Sequence, residues 1–415
     1  MGAKTGERVA RMLLEKLDVG TESGRVLMPS AGIYRSVFAW DSGWHYFWLR
    51  CLDAGRARSE MEALYACAEP SGRLPHETPL PGAAPYGLGR RLQLALLRHG
   101  FTESGNSWFV DPPVWLIAAA DCAALDPDPR RGEKLRDSAL RALAWLESER
   151  RPSFLPAPYD AFPAILHSLE SGTDFSPSFE AVWGRWPLLK LRCITSLKGL
   201  EREGYSLKGK GAFPAPLVFD PGFLAFYLLG RRALLPGKET EALVEAYWRA
   251  FFDPRAGLFL QKAAFPRGPV EALGSPTFSS VLPLMLYTRG AHREEAHNAF
   301  ARNALPGGLF WEAELPSFNG GSSEPEKGSL WRGGCNWMNM NFCHASMLRA
   351  FGHEAELELL VSRLGSRLES GPAWEYLDPG KPGGAGAEPF SWNGLLCAME
   401  KGELLDLGMT GGEKP

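Results

Sequence analysis

The chain has 415 residues, with 45 Lys and Arg against 48 Asp and Glu and a formal net charge of −3. That balance excludes a protein that relies on a basic face to neutralise nucleic-acid phosphates. Its longest apolar stretches, Trp115–Ala120 and Phe223–Leu229, fall far short of the roughly 20 residues that a bilayer-spanning helix needs.

Taken in chain order, apolar residues recur at i, i+3 and i+4 over 6–18, 41–54, 59–68, 111–125, 132–149, 178–200, 219–233 and 238–252, then over 277–288, 291–302, 335–350, 353–368 and 389–404. This is the period of a helix face, and strand alternation is scarce. Asp41 before SGWHYFWLR, and Asp220 with Pro221 before GFLAFYLLG, read as helix starts. The N-terminal stretch MGAKTGERVARMLLEKLDVG is charged throughout and has no apolar signal core, so a cytoplasmic location is expected.

No Gly- or Ser-rich linker divides the chain and composition does not shift along it, which predicts one domain over 1–415. Helices in this number, joined by alternately short and long connections and without the fixed repeat of a solenoid, predict an all-α fold. The architecture expected is a toroid of six helical hairpins, the (α/α)6 barrel. The long connections 19–40, 69–90, 101–113, 150–177, 303–334 and 370–390 are rich in Gly, Pro, aromatic and polar residues. Loops of that length in a compact domain carry function, so they are expected to form the mouth of an active site.

Seven cysteines (Cys51, Cys67, Cys122, Cys193, Cys335, Cys343 and Cys397) are odd in number, scattered and never spaced C-x-x-C, as reduced core cysteines are. Eight histidines include no H-x-x-x-H pair, so neither a metal site nor a cofactor is expected. Many of the 14 Trp lie beside Gly, Asp, Arg or Asn rather than within aliphatic runs. An indole framed by polar groups offers a face to sugar C–H bonds and hydrogen-bonding edges to the hydroxyls.

Four segments concentrate these features. In GIYRSVFAWDSGWHYFWLR (32–50), Asp41 either caps a helix or binds two sugar hydroxyls beside a Trp40 platform. In SGTDFSPSFEAVW (171–183), Asp174 either caps a helix or, beside Phe175, serves as a protonated general acid. In SLWRGGCNWMNMNFC (329–343), Trp331, Arg332 and two glycines precede Asn339 and Asn341, which suggest a polar network facing a cavity. In GPAWEYLDPGKPGGAGAEPFSWNGLL (371–396), Glu375 sits between Trp374 and Tyr376, and desolvation there would perturb the acid.

The order W-D, G-x-D-x-S-P, W-R-G…W-x-N-x-N and W-E-Y-x-x-P…F-S-W resembles glycoside hydrolase family 63 over residues 30–400, and more distantly the trehalases. The compact bacterial hydrolases of mannosylglycerate and glucosylglycerate look most similar. The resemblance implies an inverting α-glycosidase on an (α/α)6 barrel, with Asp174 as general acid and Glu375 as general base. It also implies that Trp40, Asp41, Trp331, Arg332 and Trp392 bind the sugar that is cleaved. An inverting enzyme needs these two carboxyls roughly 6.5–9.5 Å apart, and no metal or organic cofactor. A glycerate leaving group would need donors for its carboxylate, for which Tyr34, His76, Tyr86, Arg90 and Tyr376 are candidates. The partner expected is thus a small α-glycoside of glycerate, and the reading admits a homo-oligomer. Gly-bearing segments 69–90 and 370–390 are candidate lids. A trehalase-like or small maltooligosaccharide α-glucosidase, a sugar 2-epimerase and a non-catalytic sugar-binding protein are the alternatives.

Overall fold

The structure, a computed structural model, describes residues 4–80, 95–185, 188–266, 268–273, 276–312, 315–316, 331, 335–378 and 383–407. Its helices are α1 (Thr5–Leu17), α2 (Ala39–Leu49), α3 (Ala54–Ala66), α4 (Val114–Leu125), α5 (Pro129–Arg150), α6 (Glu180–Trp183) and α7 (Leu188–Arg202). They continue as α8 (Pro221–Leu234), α9 (Lys238–Phe251), α10 (Arg293–Ala304), α11 (Met338–Phe351), α12 (Glu354–Ser370) and α13 (Leu395–Lys401).

Two kinds of helix alternate. In α1, burial follows one stripe through Ala10, Leu13 and Leu17, the mark of a helix covering a core from outside. In α2 every residue from Ala39 to Leu49 is buried, and α8 and α11 are nearly as enclosed. A helix apolar on all sides must be surrounded by others. Packing bears this out: α2 lies on α4, α4 on α8, α8 on the 3-10 segment Leu282–Tyr287, that segment on α11, α11 on α13, and α13 back on α2. Around this closed inner circuit, α3, α5, α9, α10, α12 and α1 each pack on one inner element or on two neighbouring ones.

Local chemistry sets the ends. Asp220 caps α8 by accepting from the Phe223 N–H at 2.9 Å, with Pro221 as the first helical residue, as the sequence predicts. The expectation that Asp41 starts α2 is corrected. Phe38 stands at the cap without a side-chain bond, and Asp41 is already inside the first turn. The helix expected over 178–200 breaks in two at Gly184, whose φ of +89° ends α6. The one expected over 277–288 forms 3-10 turns at Phe278–Ser280 and Leu282–Tyr287, because Pro283 lacks the N–H an α-helix would use. The last begins with a 3-10 turn, Ser391–Gly394, before α13.

Short antiparallel strands stitch the loops together at the end where the inner helices begin. Ser36–Phe38 pairs with Glu77–Pro79 in the register Val37 to Thr78, and Tyr376–Leu377 pairs with Gly384–Ala385. The opposite ends of α2, α4 and α8 share a cavity of about 340 Å³ with Leu404–Leu407. Every inner helix start therefore faces one side of the molecule, the mouth. No described helix is long and apolar enough to cross a membrane.

Candidate active site

The first turn of any helix leaves N–H groups without intrahelical partners. In α2, the Trp40 N–H donates to Asp111 Oδ2 at 2.9 Å, which ties the start of α2 to the residues that lead into α4. The other oxygen of Asp111 meets Nδ1 of His76 at 2.5 Å. Burial alone would lower the affinity of His76 for a proton, but the charge and hydrogen bond of Asp111, with a further contribution from Asp174, lift its pKa to about 9. His76 is thus a cation at neutral pH, anchored on a buried carboxylate.

Asp41 is only 7 % exposed. Burial pushes its carboxyl well above the usual range. Asp111 and Glu375 add to that shift, whereas His76 and the Trp392 indole oppose it. The indole N–H approaches Asp41 without reaching full hydrogen-bond geometry. The Trp40 ring stands edge-on to Trp44 at 5.1 Å and to Phe226 at 5.4 Å, with its own N–H buried and unpartnered among the described residues.

Glu375 enters from the loop between α12 and α13. Its backbone N–H donates to the Ala387 carbonyl, and its Oε2 accepts from the Ala387 N–H, both at 2.9 Å. The Tyr34 hydroxyl donates to Oε1 at 3.3 Å. Gly386 makes this possible: its φ is +89°, and a Cβ there would collide with the Glu375 carboxylate. Burial raises the Glu375 pKa despite the two stabilising bonds, as the sequence predicts for an acid between aromatics.

Asp174 is half-buried on a tight turn in which Gly172 and Phe175 both have positive φ, +68° and +58°. Gly172 lies against the Trp40 ring, 3.1 Å from where its Cβ would stand, so the turn is seated on the W-D motif. The capping alternative falls here, since Ser176 caps the 3-10 turn that follows. Beneath the turn, Arg150 and Glu170 form a fully buried bidentate pair at 2.6 and 2.8 Å. Glu170 also accepts from the Leu166 and Val110 N–H groups, which links this loop to Asp111.

Aromatic rings line the space between these acids. Trp331 stacks on Trp337 at 3.6 Å, and Trp337 lies 6.0 Å from Trp392 and 4.9 Å from Tyr376. The wall continues from Trp392 through Phe390, Tyr34 and Phe38 to His76. Tyr34, Trp40, Asp41, His76, Trp331, Tyr376 and Trp392 thus share one mouth with Glu375, and the charge of Asp174 reaches it through His76. Tyr86, Arg90 and Arg332 lie outside the described residues, as do Gly82 and Gly87 of the first candidate lid. Gly384 and Gly386 of the second lie against Trp374 and Glu375.

Sequence reasoning missed Asp111, reading it as the first residue of a helix. Pro112 and Pro113 delay that helix to Val114, and this was the available signal. The expected Asn network is real but partly turned inward: Asn336 and Asn341 exchange side-chain amide bonds at 3.0 and 2.6 Å. Among the described residues, no group of three or more His, Cys, Asp or Glu is arranged to hold a metal.

The chain is a glycoside hydrolase. It belongs to the mannosylglycerate hydrolase MGH1-like glycoside hydrolase domain family, whose sequence model matches residues 34–393. It is 26 % identical to the mannosylglycerate hydrolase of one strain of Thermus thermophilus, over 90 % of this chain and 96 % of the relative. The fold matches that of the family 63 mannosylglycerate hydrolase from a second Thermus thermophilus strain in complex with glucose, with a TM-score of 0.75 and 24 % identity. That match covers 96 % of this chain and all of the other. The same enzyme in complex with Tris and D-glycerate gives a TM-score of 0.75 at 22 % identity, over 96 % of this chain and 99 % of the other.

Proposed function

We propose that this chain is an inverting α-glycosidase that hydrolyses 2-O-α-mannosylglycerate, 2-O-α-glucosylglycerate or both to free sugar and glycerate. It works in the cytoplasm as a single (α/α)6-barrel catalytic domain. The observation that carries the reading is the set of carboxyls at the mouth. Glu375 is buried and held by Tyr34 and the Ala387 N–H, and its charge is felt by Asp41. Asp174 stands on a turn seated on Trp40, within electrostatic reach of the His76–Asp111 pair.

Asp174 gives its proton to the glycosidic oxygen as the bond to the anomeric carbon breaks. Glu375 takes a proton from a water that attacks that carbon on the opposite face, so the anomeric configuration inverts. Burial suits the second role, because a base with a raised pKa takes a proton more readily at working pH. Asp41 binds hydroxyls of the departing sugar, while Trp40, Trp331 and Trp392 pack on its C–H faces and Arg332 supplies further donors. Tyr34, His76, Tyr86 and Tyr376 bind the aglycone. A cationic His76 favours a carboxylate-bearing leaving group over a neutral one.

Asp174→Asn and Glu375→Gln should each lower kcat on mannosylglycerate or glucosylglycerate by about 10²–10⁴, with thermal unfolding unchanged. Near-wild-type turnover in either variant removes that residue from its role.

A further inference from the structure

Directly behind the mouth, three side chains of zero exposure form a hydrogen-bonded line: Glu60 on α3, His45 on α2 and Ser391 at the entry to α13. Glu60 Oε1 lies 3.0 Å from His45 Nδ1, and His45 Nε2 lies 2.6 Å from Ser391 Oγ. Glu60 is ionised: burial opposes its charge, but His45 and Arg56 together hold its carboxyl below the ordinary value. Its second oxygen accepts from Arg56 at 2.8 Å and from the Leu27 N–H at 2.9 Å. An ionised carboxylate only accepts, so Nδ1 carries a proton toward Glu60, while Nε2 and the Ser391 hydroxyl share the second bond.

This order of acid, imidazole and hydroxyl resembles a nucleophile triad, but it is sealed from solvent and touches no open space. Its position gives it another use. His45 follows Asp41 by four residues, so both project from the same face of α2. One turn of that face therefore meets two consecutive residues of the opposite segment: Asp41 meets Trp392, and His45 holds Ser391.

The Phe390–Asn393 segment in turn carries the loop that presents Glu375. The Phe390 N–H donates to the Ala373 carbonyl at 2.8 Å, and Asn393 Nδ2 donates to the Trp374 carbonyl at 2.7 Å. On its other side the segment is tied by the Ser391 N–H to the Pro29 carbonyl at 3.0 Å. We propose that Glu60, His45 and Ser391 form a positioning relay that fixes the Phe390–Asn393 segment, and through it Glu375, against Asp41. The inference rests on the reading of Glu375 as general base. It assigns a role in that chemistry to three residues that cannot touch substrate.

The test uses two variants that divide the imidazole. Asn at position 45 can reach Glu60 but not Ser391, whereas Gln can reach Ser391 but not Glu60. His45→Asn and Ser391→Ala should each lower kcat by ~10- to 100-fold, the scale of a small misplacement of a reacting group, while His45→Gln, which keeps Ser391 but loses its Glu60 anchor, lowers it less. The acid limb of the kcat/KM profile should also move to lower pH. Burial is the largest cause of the raised Glu375 pKa, so the better hydration of a loosened Glu375, with Asp41 further away, outweighs the weakened Tyr34 bond that holds that pKa down. Leu364→Ala on α12, a cavity variant remote from the mouth, serves as the control that lowers thermal stability without moving that limb.

The proposal is overturned if Ser391→Ala keeps the wild-type kcat and acid limb while only its melting temperature falls. Ser391→Ala is the mildest change and decides the question alone if a His45 variant fails to fold. Glu375→Gln, assayed alongside, separates the two claims. If it keeps turnover, the base assignment fails. If it is inactive and Ser391→Ala is unimpaired, the relay fails.

Discussion

Asp111 is a buried carboxylate that serves the mouth without opening onto it. One oxygen holds the start of α2 and the other holds His76. Because this pair lifts His76 to about 9, the ring is charged below that value and loses its charge as pH rises through it. Affinity for D-glycerate, followed by titration calorimetry, should fall as pH rises through about 9, while affinity for uncharged mannose should not. In Asp111→Asn the fall should come at lower pH, since burial is then opposed only by the charges of Asp174 and Glu77. Glycerate binding that stays level across that range in the wild type would remove His76 from the carboxylate site. Neither Asp111 nor the Glu60–His45–Ser391 line was legible in the sequence. Their partners stand 35 and 346 residues apart, and no local pattern encodes such a meeting.

At the scale of elements, helical period was legible wherever one face is dry and the other wet, as in α1 and α9. It placed the inner helices too, but with less accurate ends. Their burial on all sides removes the contrast that marks a boundary, so α2 begins two residues before expectation and ends five earlier. The segment that precedes α11 shows how such an element is fixed in place. The Asn336 backbone exchanges two 2.8 Å bonds with Leu377, next to Glu375, while its side chain exchanges two with Asn341 in the first turn of α11. Asn341→Ala removes two buried side-chain bonds from the Asn336 amide, which should cost about 1–3 kcal/mol in denaturant unfolding. A variant as stable as the wild type would show that the amide pair does not hold the strand to the helix.

At the scale of the whole molecule, one end of the inner circuit is a mouth and the other is a floor of paired arginines and carboxylates. The starts of α2 and α4 bring Asp41 to the mouth and Asp111 directly behind it, where the N-terminal ends of helix dipoles favour negative charge. The far ends of α2 and α8 bring Arg50 and Arg232 to the opposite cavity, beside Arg289. The four motifs are far apart in the chain, yet each precedes or opens an inner element or lies in a loop that returns from an outer helix. Circuit closure therefore gathers them. This was the part of the site legible in the sequence, because order along the chain maps directly onto position around the circuit.

The measurement that tests the account most directly is proton NMR of the anomeric region during the first minutes of hydrolysis. The purified protein would be given α-mannosylglycerate, α-glucosylglycerate, trehalose and maltose in parallel. We expect the β-anomer of the free sugar to appear first, and from a glycerate glycoside. An α-anomer appearing first would contradict the general acid and base assignment, and hydrolysis confined to trehalose or maltose would contradict the glycerate substrate.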